Sequence, residues 1–317
     1  MTKQLGIVMD PIEGINIEKD SSFAMLLEAQ YRGWQIHYMQ QSDITLRNNT
    51  VMANTQQLHV EDNPDQWFRL SQPKNSALGD LDIILMRKNP PFDMEFVYTS
   101  YLLELAEEQG SWVINRPTGL RDYNEKLATA CFPQCCAPTL VGRRHRDFME
   151  FLTTHKCIVT KPLGGMGGES VFIIHEHDRN RNVIIETLTD QGRRFAMAQL
   201  YLPEIAFGDR RVLLINGDPI PYALARIPSA NDNRGNLAAG ATAEGVKLTE
   251  RDHWLCKQVA PALRDRGLVF VGLDIIGDYI TEINVTSPTC IRELDRIYGI
   301  NIASILFDFI EKQLANA

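Results

Sequence analysis

Asp274, Glu282 and Asn284 are the residues of this 317-residue sequence whose types and spacing most plainly suit chemistry. They lie in GLDIIGDYITEINV, residues 272–285, which reads as two short strands around a tight turn. Val269, Val271, Leu273 and Ile275 alternate with Phe270, Gly272, Asp274 and Ile276, while Glu282 and Asn284 share one face of the return strand. Loop length decides whether the carboxylates meet. A two-residue loop would pair Ile276 with Tyr279 and turn Asp274 away from Glu282. A three-residue loop, Gly277-Asp278-Tyr279, would set both acids on one face, and we expect that loop. Three oxygen donors on one sheet face suit Mg2+, which is usually bound together with substrate phosphates. The plainer reading is the solvated face of an edge hairpin. The apolar strands around the acids, and the Thr286-Ser287-Pro288-Thr289 that follows, favour the metal.

A second constellation spans residues 157–174. Cys157–Leu163 is expected to be a strand carrying Lys161, and Ser170–Ile174 the next strand. Between them lies GGMGG, residues 164–168. No Gly-Lys-Ser/Thr occurs, so this is not a Walker A loop. Gly165, Gly167 and Gly168 would let backbone amides wrap phosphate oxygens, with Met166 covering a nucleotide. A merely flexible hairpin is the alternative, disfavoured by the chain entropy that so many glycines cost. Ala196–Leu202 reads as a strand whose exposed amide and carbonyl edges, over Gln199, Leu200, Tyr201 and Leu202, could serve an adenine ring. Arg211 shares a face with Leu213 and Ile215 and can look into the cleft of the acids. Arg226 ends the strand Tyr222–Arg226. Arg87 follows the strand Asp82–Met86, a strand end of the kind that favours ligands. It could fork onto a substrate carboxylate or pair with Asp82 or Asp93. Arg292, after Thr286–Cys290, suggests a second carboxylate contact. Ile227–Glu244 has few apolar anchors and one arginine, Arg234; it reads as a lid excluding water, or as a plain surface excursion.

The elements that must position these residues follow from periodicity. Leu5–Met9, a helix over Ser21–Tyr31 and Gln35–Met39 form a β-α-β opening, which implies a small parallel sheet. Ser21 and Ser22 would donate to a ligand or cap that helix. Residues 40–80 read as irregular strands and loops. Phe96–Gln109 is helical, Val113–Asn115 a strand, and Asn124–Leu127 a hinge into a second module. Asn216-Gly217 marks a hairpin. Thr249 and Asp252 form a capping box ahead of a helix with Leu255, Val259 and Leu263 on one stripe, and the last helix covers Ile302–Leu314. The spacing of Cys131, Cys135 and Cys136, and of His175 and His177, does not suit a metal site.

Composition narrows the class. A formal charge of −8 argues against a nucleic-acid or anionic-membrane surface. There is no long apolar run to span a membrane, and a strand beginning by Leu5 leaves no room for a signal peptide. Six cysteines in so long a chain are no disulfide framework, which points to a reducing, cytoplasmic setting. The fold class is α/β, with α+β modules. The parts together describe a Mg-ATP site between β-rich modules with no strong general base. Phosphoryl transfer needs positioning and charge cancellation more than a base, which leaves a kinase or an ATP-driven ligase.

The ordered segments LGIVMDPI, KDSSFAMLLEAQ, ILMRKNPPFD, LRDYNEKL, KPLGGMGG, RGNLAAG and VGLDIIGDYITEINVTSPTCIRE span nearly the whole chain. In them the sequence resembles the bacterial glutathione synthetases, ligases of the ATP-grasp superfamily. The resemblance implies an ATP-grasp fold with an N-terminal parallel-sheet domain, divided as 1–122, 123–200 and 201–317. It implies that ATP phosphorylates γ-glutamylcysteine and that glycine attacks the acyl phosphate, giving glutathione, ADP and phosphate. It further implies a homotetramer and two Mg2+ ions, with Mn2+ a possible substitute. By motif match, Lys126 and Lys161 would contact ATP, Gly165–Gly168 would cover its phosphates and Arg211 would touch phosphate. Asp274, Glu282 and Asn284 would hold the two metals. Arg226 and Arg234 would face the transferred group, and Arg87 with Ser287, Pro288, Thr289, Cys290 and Arg292 would hold the dipeptide and glycine side. Departures from the family pattern stand at Gly164 (usually aspartate), Glu169 (usually small), Leu200 (commonly asparagine) and Ala241-Thr242 (commonly Gly-Arg). A ligase for another short peptide or amino-acid pair, or a nucleotide-binding regulator without turnover, are the competing expectations.

Overall fold

The structure is a computed structural model that describes residues 2–165, 167–229 and 240–316. Among these residues the chain forms three sheets and eight α-helices. The first sheet comprises β1 (Gln4–Val8), β2 (Gln35–Met39), β3 (Ile44–Arg47), β4 (Thr50–Val60), β5 (Phe68–Leu70), β6 (Lys74–Ala77), β7 (Ile83–Met86) and β8 (Trp112–Ile114). Its order is β3-β4-β2-β1-β7-β8, with β5 and β6 lying along β4. The central pairs β2-β1, β1-β7 and β7-β8 are parallel, as the β-α-β opening requires. β7 is buried at every position, the mark of a strand covered on both faces. Helices α1 (Ser21–Tyr31), α2 (Met94–Glu108) and α3 (Pro117–Asp122) complete this part.

Two expectations fail here. Residues 40–80 hold strands, as expected, but not irregular ones: β4 is an eleven-residue strand with Val51, Ala53, Thr55, Leu58 and Val60 buried. Its asparagine and glutamines, weak strand formers, hide the alternation. Nor do Ser21 and Ser22 cap α1. Asp20 does, accepting from the Phe23 amide at 2.7 Å. Ser21 Oγ instead accepts from the Ile291 amide at 3.1 Å, and Ser22 Oγ from Arg87 Nε at 3.0 Å.

The second sheet holds β9 (Thr139–Gly142), β10 (Cys157–Pro162), β11 (Phe172–His175) and β12 (Ala196–Leu200), antiparallel in the order β11-β10-β12-β9. Helices α4 (His145–His155) and α5 (Arg181–Leu188) pack on it, and Phe148, Leu152, Ile158, Ile174, Ile185 and Leu188 form a small core of its own.

The third sheet is β15-β14-β13-β16-β17, antiparallel throughout, built from β13 (Asp209–Ile215), β14 (Asp218–Ile227), β15 (Thr242–Lys247), β16 (Phe270–Ile276) and β17 (Tyr279–Asn284). Asn216 and Gly217 both take positive φ, 50° and 79°, as a primed hairpin turn demands. The Thr249–Asp252 capping box opens α6 (Glu250–Asp265) as expected. The expected lid is shorter than Ile227–Glu244, because Ile227 ends β14 and Thr242–Glu244 begin β15, paired Ile227 to Thr242. α7 (Ile291–Tyr298) and α8 (Ile302–Leu314) follow. α8 returns to α1, where Phe307 meets Trp34 edge-on at 5.1 Å and Arg32 pairs with Asp308 and Glu311. The first and third sheets therefore share a continuous core.

Candidate active site

β17 is the edge strand of the third sheet, and its hairpin with β16 brings the acids together by an unexpected route. The loop has two residues, Gly277 and Asp278, so Ile276 pairs with Tyr279 and the expected three-residue loop is wrong. Asp274 nevertheless lies opposite Glu282, because the register shifts between Asp274 and Ile275 and leaves Thr281 as an extra residue on β17. A β-bulge does what the loop length was expected to do. Asn284 then faces Gly272, and its Nδ2 donates to the Gly272 carbonyl at 3.2 Å. Gly272 itself must lack a side chain, since a Cβ there would meet Arg211 Cδ at 2.9 Å and Pro288 Cβ at 3.0 Å.

Arg211, on β13, sits directly across from Asp274 on β16, as its strand face implies. Both its Nε and Nη2 donate to that carboxylate, the latter at 2.9 Å. Arg226 of β14 reaches the same carboxylate at 2.9 Å and also bonds Asp209. All four side chains are buried. Burial alone would lift the Asp274 carboxyl; the two guanidiniums outweigh it and hold the group far below the ordinary carboxylate range. Burial wins at Asp209, pushing it up to about 6 against the pull of Arg226.

Two lysines approach from the second sheet and its hinge. Lys126 Nζ donates to the Gly165 carbonyl and lies 3.2 Å from Glu282. Lys161 of β10 donates to the Thr281 carbonyl at 3.1 Å, and burial lowers its pKa while Glu282 opposes that. The glycine loop does join two antiparallel strands, β10 and β11, which end at Pro162 and begin at Phe172. Glu169 in that loop is exposed. Met166 and Arg234 lie outside the described residues, as does the centre of the expected lid. β12 departs from expectation. It is an interior strand ending at Leu200, and the amides of Leu200 and Tyr201 donate to Pro138 and Cys157 carbonyls at 3.0 and 3.2 Å. Its edges are therefore paired rather than exposed.

A cavity of about 240 Å3 joins these parts, lined by Gly165, Gly167, Arg211, Arg226, Glu282, Asn284 and the Thr286–Cys290 segment. Cys290 takes a left-handed φ of 95° at the start of α7, so the segment turns sharply there. Arg87 is buried just beside the cavity. Nε donates to Ser22 and Nη2 to the Pro288 carbonyl at 2.8 Å, with Phe270 under the guanidinium at 5.5 Å. It pairs with neither Asp82, which takes Lys3, nor Asp93, which caps α2, and burial pushes it down to about 10. Arg292 is turned to Asp62 at 2.8 Å, away from the cavity lining.

Two residues went unread in the sequence. Asp209 stands two positions before Arg211, so strand alternation already puts it on the same face. Glu125 gave no such signal. Its carboxylate accepts from the amides of Val285 and Thr286 and from the Thr286 hydroxyl, partners about 160 residues away in the chain.

Residues 4–121 match the family described as prokaryotic glutathione synthetase, N-terminal domain, and residues 125–299 match prokaryotic glutathione synthetase, ATP-grasp domain. The chain is 54% identical over 314 residues to a glutathione synthetase of Pseudomonas putida, with 99% of each chain covered. It is 53% identical over 311 residues to that of Escherichia coli strain K12, with 98% of each covered. Among solved structures, the D-cycloserine synthetase DcsG superposes with a TM-score of 0.67 at 13% identity, covering 98% of this chain and 99% of that one. The ATP-grasp ligase PsnB, complexed with minimal precursor, Mg and ADP, gives 0.62 at 14% identity, with 98% of each covered. At these identities the superpositions establish the ATP-grasp fold.

Proposed function

This chain belongs to the prokaryotic glutathione synthetase family, and on that premise we propose how its residues divide the reaction. The protein is an ATP-dependent carbon–nitrogen ligase that synthesises glutathione. Its ATP-grasp fold, and the Mg and ADP bound by PsnB, support the use of ATP with Mg2+. The observation that carries the residue assignment is the meeting of Glu282, Asn284, Arg211 and Arg226 on one cavity bordered by the glycine loop, with the buried Asp274 carboxylate joining the two arginines.

In the reaction we assign, a carboxylate oxygen of the cysteine in γ-glutamylcysteine attacks the terminal phosphorus of ATP. A carboxyl O–P bond forms as the bond to ADP breaks. The amine of glycine then attacks the acyl carbon, phosphate leaves, and the amine loses a proton to solvent. Lys126, Lys161 and the amides of Gly165, Gly167 and Gly168 hold the ATP phosphates. Gln199, Leu200, Tyr201 and Leu202 flank the adenine. Because the amides of Leu200 and Tyr201 are engaged, side chains and the remaining backbone groups do the recognition. Arg211 and Arg226 face the transferring phosphoryl group and cancel its developing charge. Arg87 fixes the Pro288 carbonyl, and with Ser287, Thr289 and Cys290 it shapes the dipeptide and glycine side, while Arg292, paired with Asp62, stands outside the cavity lining.

The donor set suits a hard cation. Glu282 offers a carboxylate to the cavity, and the Asn284 amide nitrogen is spent on Gly272, leaving its oxygen free to ligate. Asp274 stands opposite Glu282 with both oxygens held by Arg211 and Arg226, and it would join the set once those arginines turn to the ATP phosphates. Bound there, two Mg2+ ions, or Mn2+ in their place, would polarise the phosphoryl oxygens. We further propose three modules, 1–122, 123–200 and 201–317, supported by the separate core of the second sheet. The family resemblance supports a homotetramer in the cytoplasm, which sedimentation and fractionation check. No helix among the described residues is long and apolar enough to cross a membrane. The test is ADP release: it should require both γ-glutamylcysteine and glycine, and release that needs neither, or needs a different pair, would overturn the assignment.

A further inference from the structure

We propose that Glu125 is a positioning residue for the peptide substrates, and that Asn124-Glu125-Lys126 clasps the substrate loop 286–290 to the glycine hairpin. The proposal rests on the reading of the cavity as the ligation site. β17 lies at the edge of its sheet, so its outer amides have no strand to pair with. The hinge supplies the partners. The Glu125 carbonyl accepts from the Ile283 amide at 2.8 Å. One step further on, Glu125 Oε1 accepts from the Val285 amide at 2.8 Å, the Thr286 amide at 3.0 Å and the Thr286 hydroxyl at 2.9 Å. A single carboxylate oxygen thus carries the pairing past the end of β17 and fixes where the chain turns into the cavity. Such charge-assisted bonds to amides are strong, and buried amides left without them are costly.

The neighbours of Glu125 grip the other side. Asn124 Nδ2 donates to the Leu163 carbonyl at 3.2 Å, while its Oδ1 accepts from the Lys126 and Leu127 amides at 3.2 and 2.9 Å. Lys126 reaches the Gly165 carbonyl and Glu282. Three consecutive residues therefore join the loop over the nucleotide to the loop that holds the peptides. Glu125 bears on the peptide loop, so its loss should separate peptide from nucleotide binding.

Steady-state kinetics on the full-length enzyme with Mg-ATP, γ-glutamylcysteine and glycine test this, beside ADP titration by calorimetry. Glu125→Ala should raise KM for the two peptide-side substrates about tenfold while ADP affinity stays within about twofold. Glu125→Gln keeps an accepting oxygen in place and should stay within about threefold of wild type. Unchanged KM values in Glu125→Ala, an equal loss of ADP affinity, or equal damage from Ala and Gln would each overturn the positioning role. If Glu125→Ala does not fold, Thr286→Val removes one of the three donors. It should raise the same KM values about threefold, and unchanged values would overturn the proposal. A wild-type enzyme that does not require both peptide-side substrates would overturn the ligation reading and this assignment together. Normal wild-type ligation with unaffected variants would overturn this assignment alone.

Discussion

Asp274 and Glu282 oppose each other across a hairpin, yet removing them should have opposite consequences. Asp274 is the anion between two buried guanidiniums, so Asp274→Ala strands Arg211 and leaves Arg226 with Asp209 alone. We expect a loss of about 3–5 kcal/mol in urea unfolding, the usual result of breaking a buried ion pair from one side. Glu282 is partly exposed and has Lys126 at 3.2 Å. Glu282→Gln should leave the melting temperature nearly unchanged while lowering Mg2+-dependent turnover about tenfold or more. Unchanged activity across a Mg2+ titration would contradict its place in the site. The pH dependence has a definite sign. Asp274 titrates below its ordinary value of 3.8 in the folded state, so the stability it contributes is present above that value and is lost as pH falls below it. Wild type should lose stability through that acid range more steeply than Asp274→Asn.

Residue types and strand faces pointed to Glu282, Asn284 and Arg211, which the structure brings to one cavity. Acids and an amide flanked by apolar residues, and an arginine on the cleft face of a strand, are readable because strand alternation is strict. Glu125 was not readable, because its role is set by backbone amides distant in sequence.

At the scale of elements, the β16–β17 hairpin shows why a correct juxtaposition can be reached through a wrong loop. Turn residues Gly277-Asp278 favour a two-residue turn, and the bulge at Thr281 then restores the facing. A bulge has no sharp sequence mark, whereas the Asn216-Gly217 turn and the Thr249–Asp252 cap do, and both were legible. β4 was missed for the reverse reason, since its buried face is specified by neighbours rather than by strand propensity.

The α7–α8 junction yields a second pH prediction. Asp295 accepts from the Ile302 amide at 3.0 Å, and burial lifts its carboxyl to about 6 even though that bond and Arg292 pull it down. A raised carboxyl holds its proton more tightly folded than unfolded. Its favourable contribution is therefore complete below the ordinary value near 3.8 and is lost as pH rises through about 6. Asp295→Asn keeps the accepting oxygen, so it should raise the melting temperature more at pH 7 than at pH 4. An equal shift at both would show that the carboxyl does not titrate there.

Across the whole molecule, chain order and spatial order part company. The final helix packs on the first, with Ile302, Leu306, Phe307 and Ile310 fully buried, so the N-terminal sheet borrows its cover from the far end of the chain. Phe307→Ala should cost about 3–5 kcal/mol by urea unfolding, as large-to-small changes in a shared core do. A change under about 1 kcal/mol would show that α8 only rests on the surface. The amphipathic last helix could be read from the sequence. The return of that helix to α1 could not, because its apolar stripe says that it packs and not on what.

The central claim is that the cavity activates a peptide carboxylate by phosphorylation. γ-Glutamylcysteine carrying 18O in its cysteine carboxylate, turned over with ATP and glycine, tests it most directly. Transfer of the terminal phosphoryl group to that carboxylate must leave one labelled oxygen in each phosphate released, and mass spectrometry of the phosphate should find it. Phosphate free of label, formed alongside glutathione, would contradict the account.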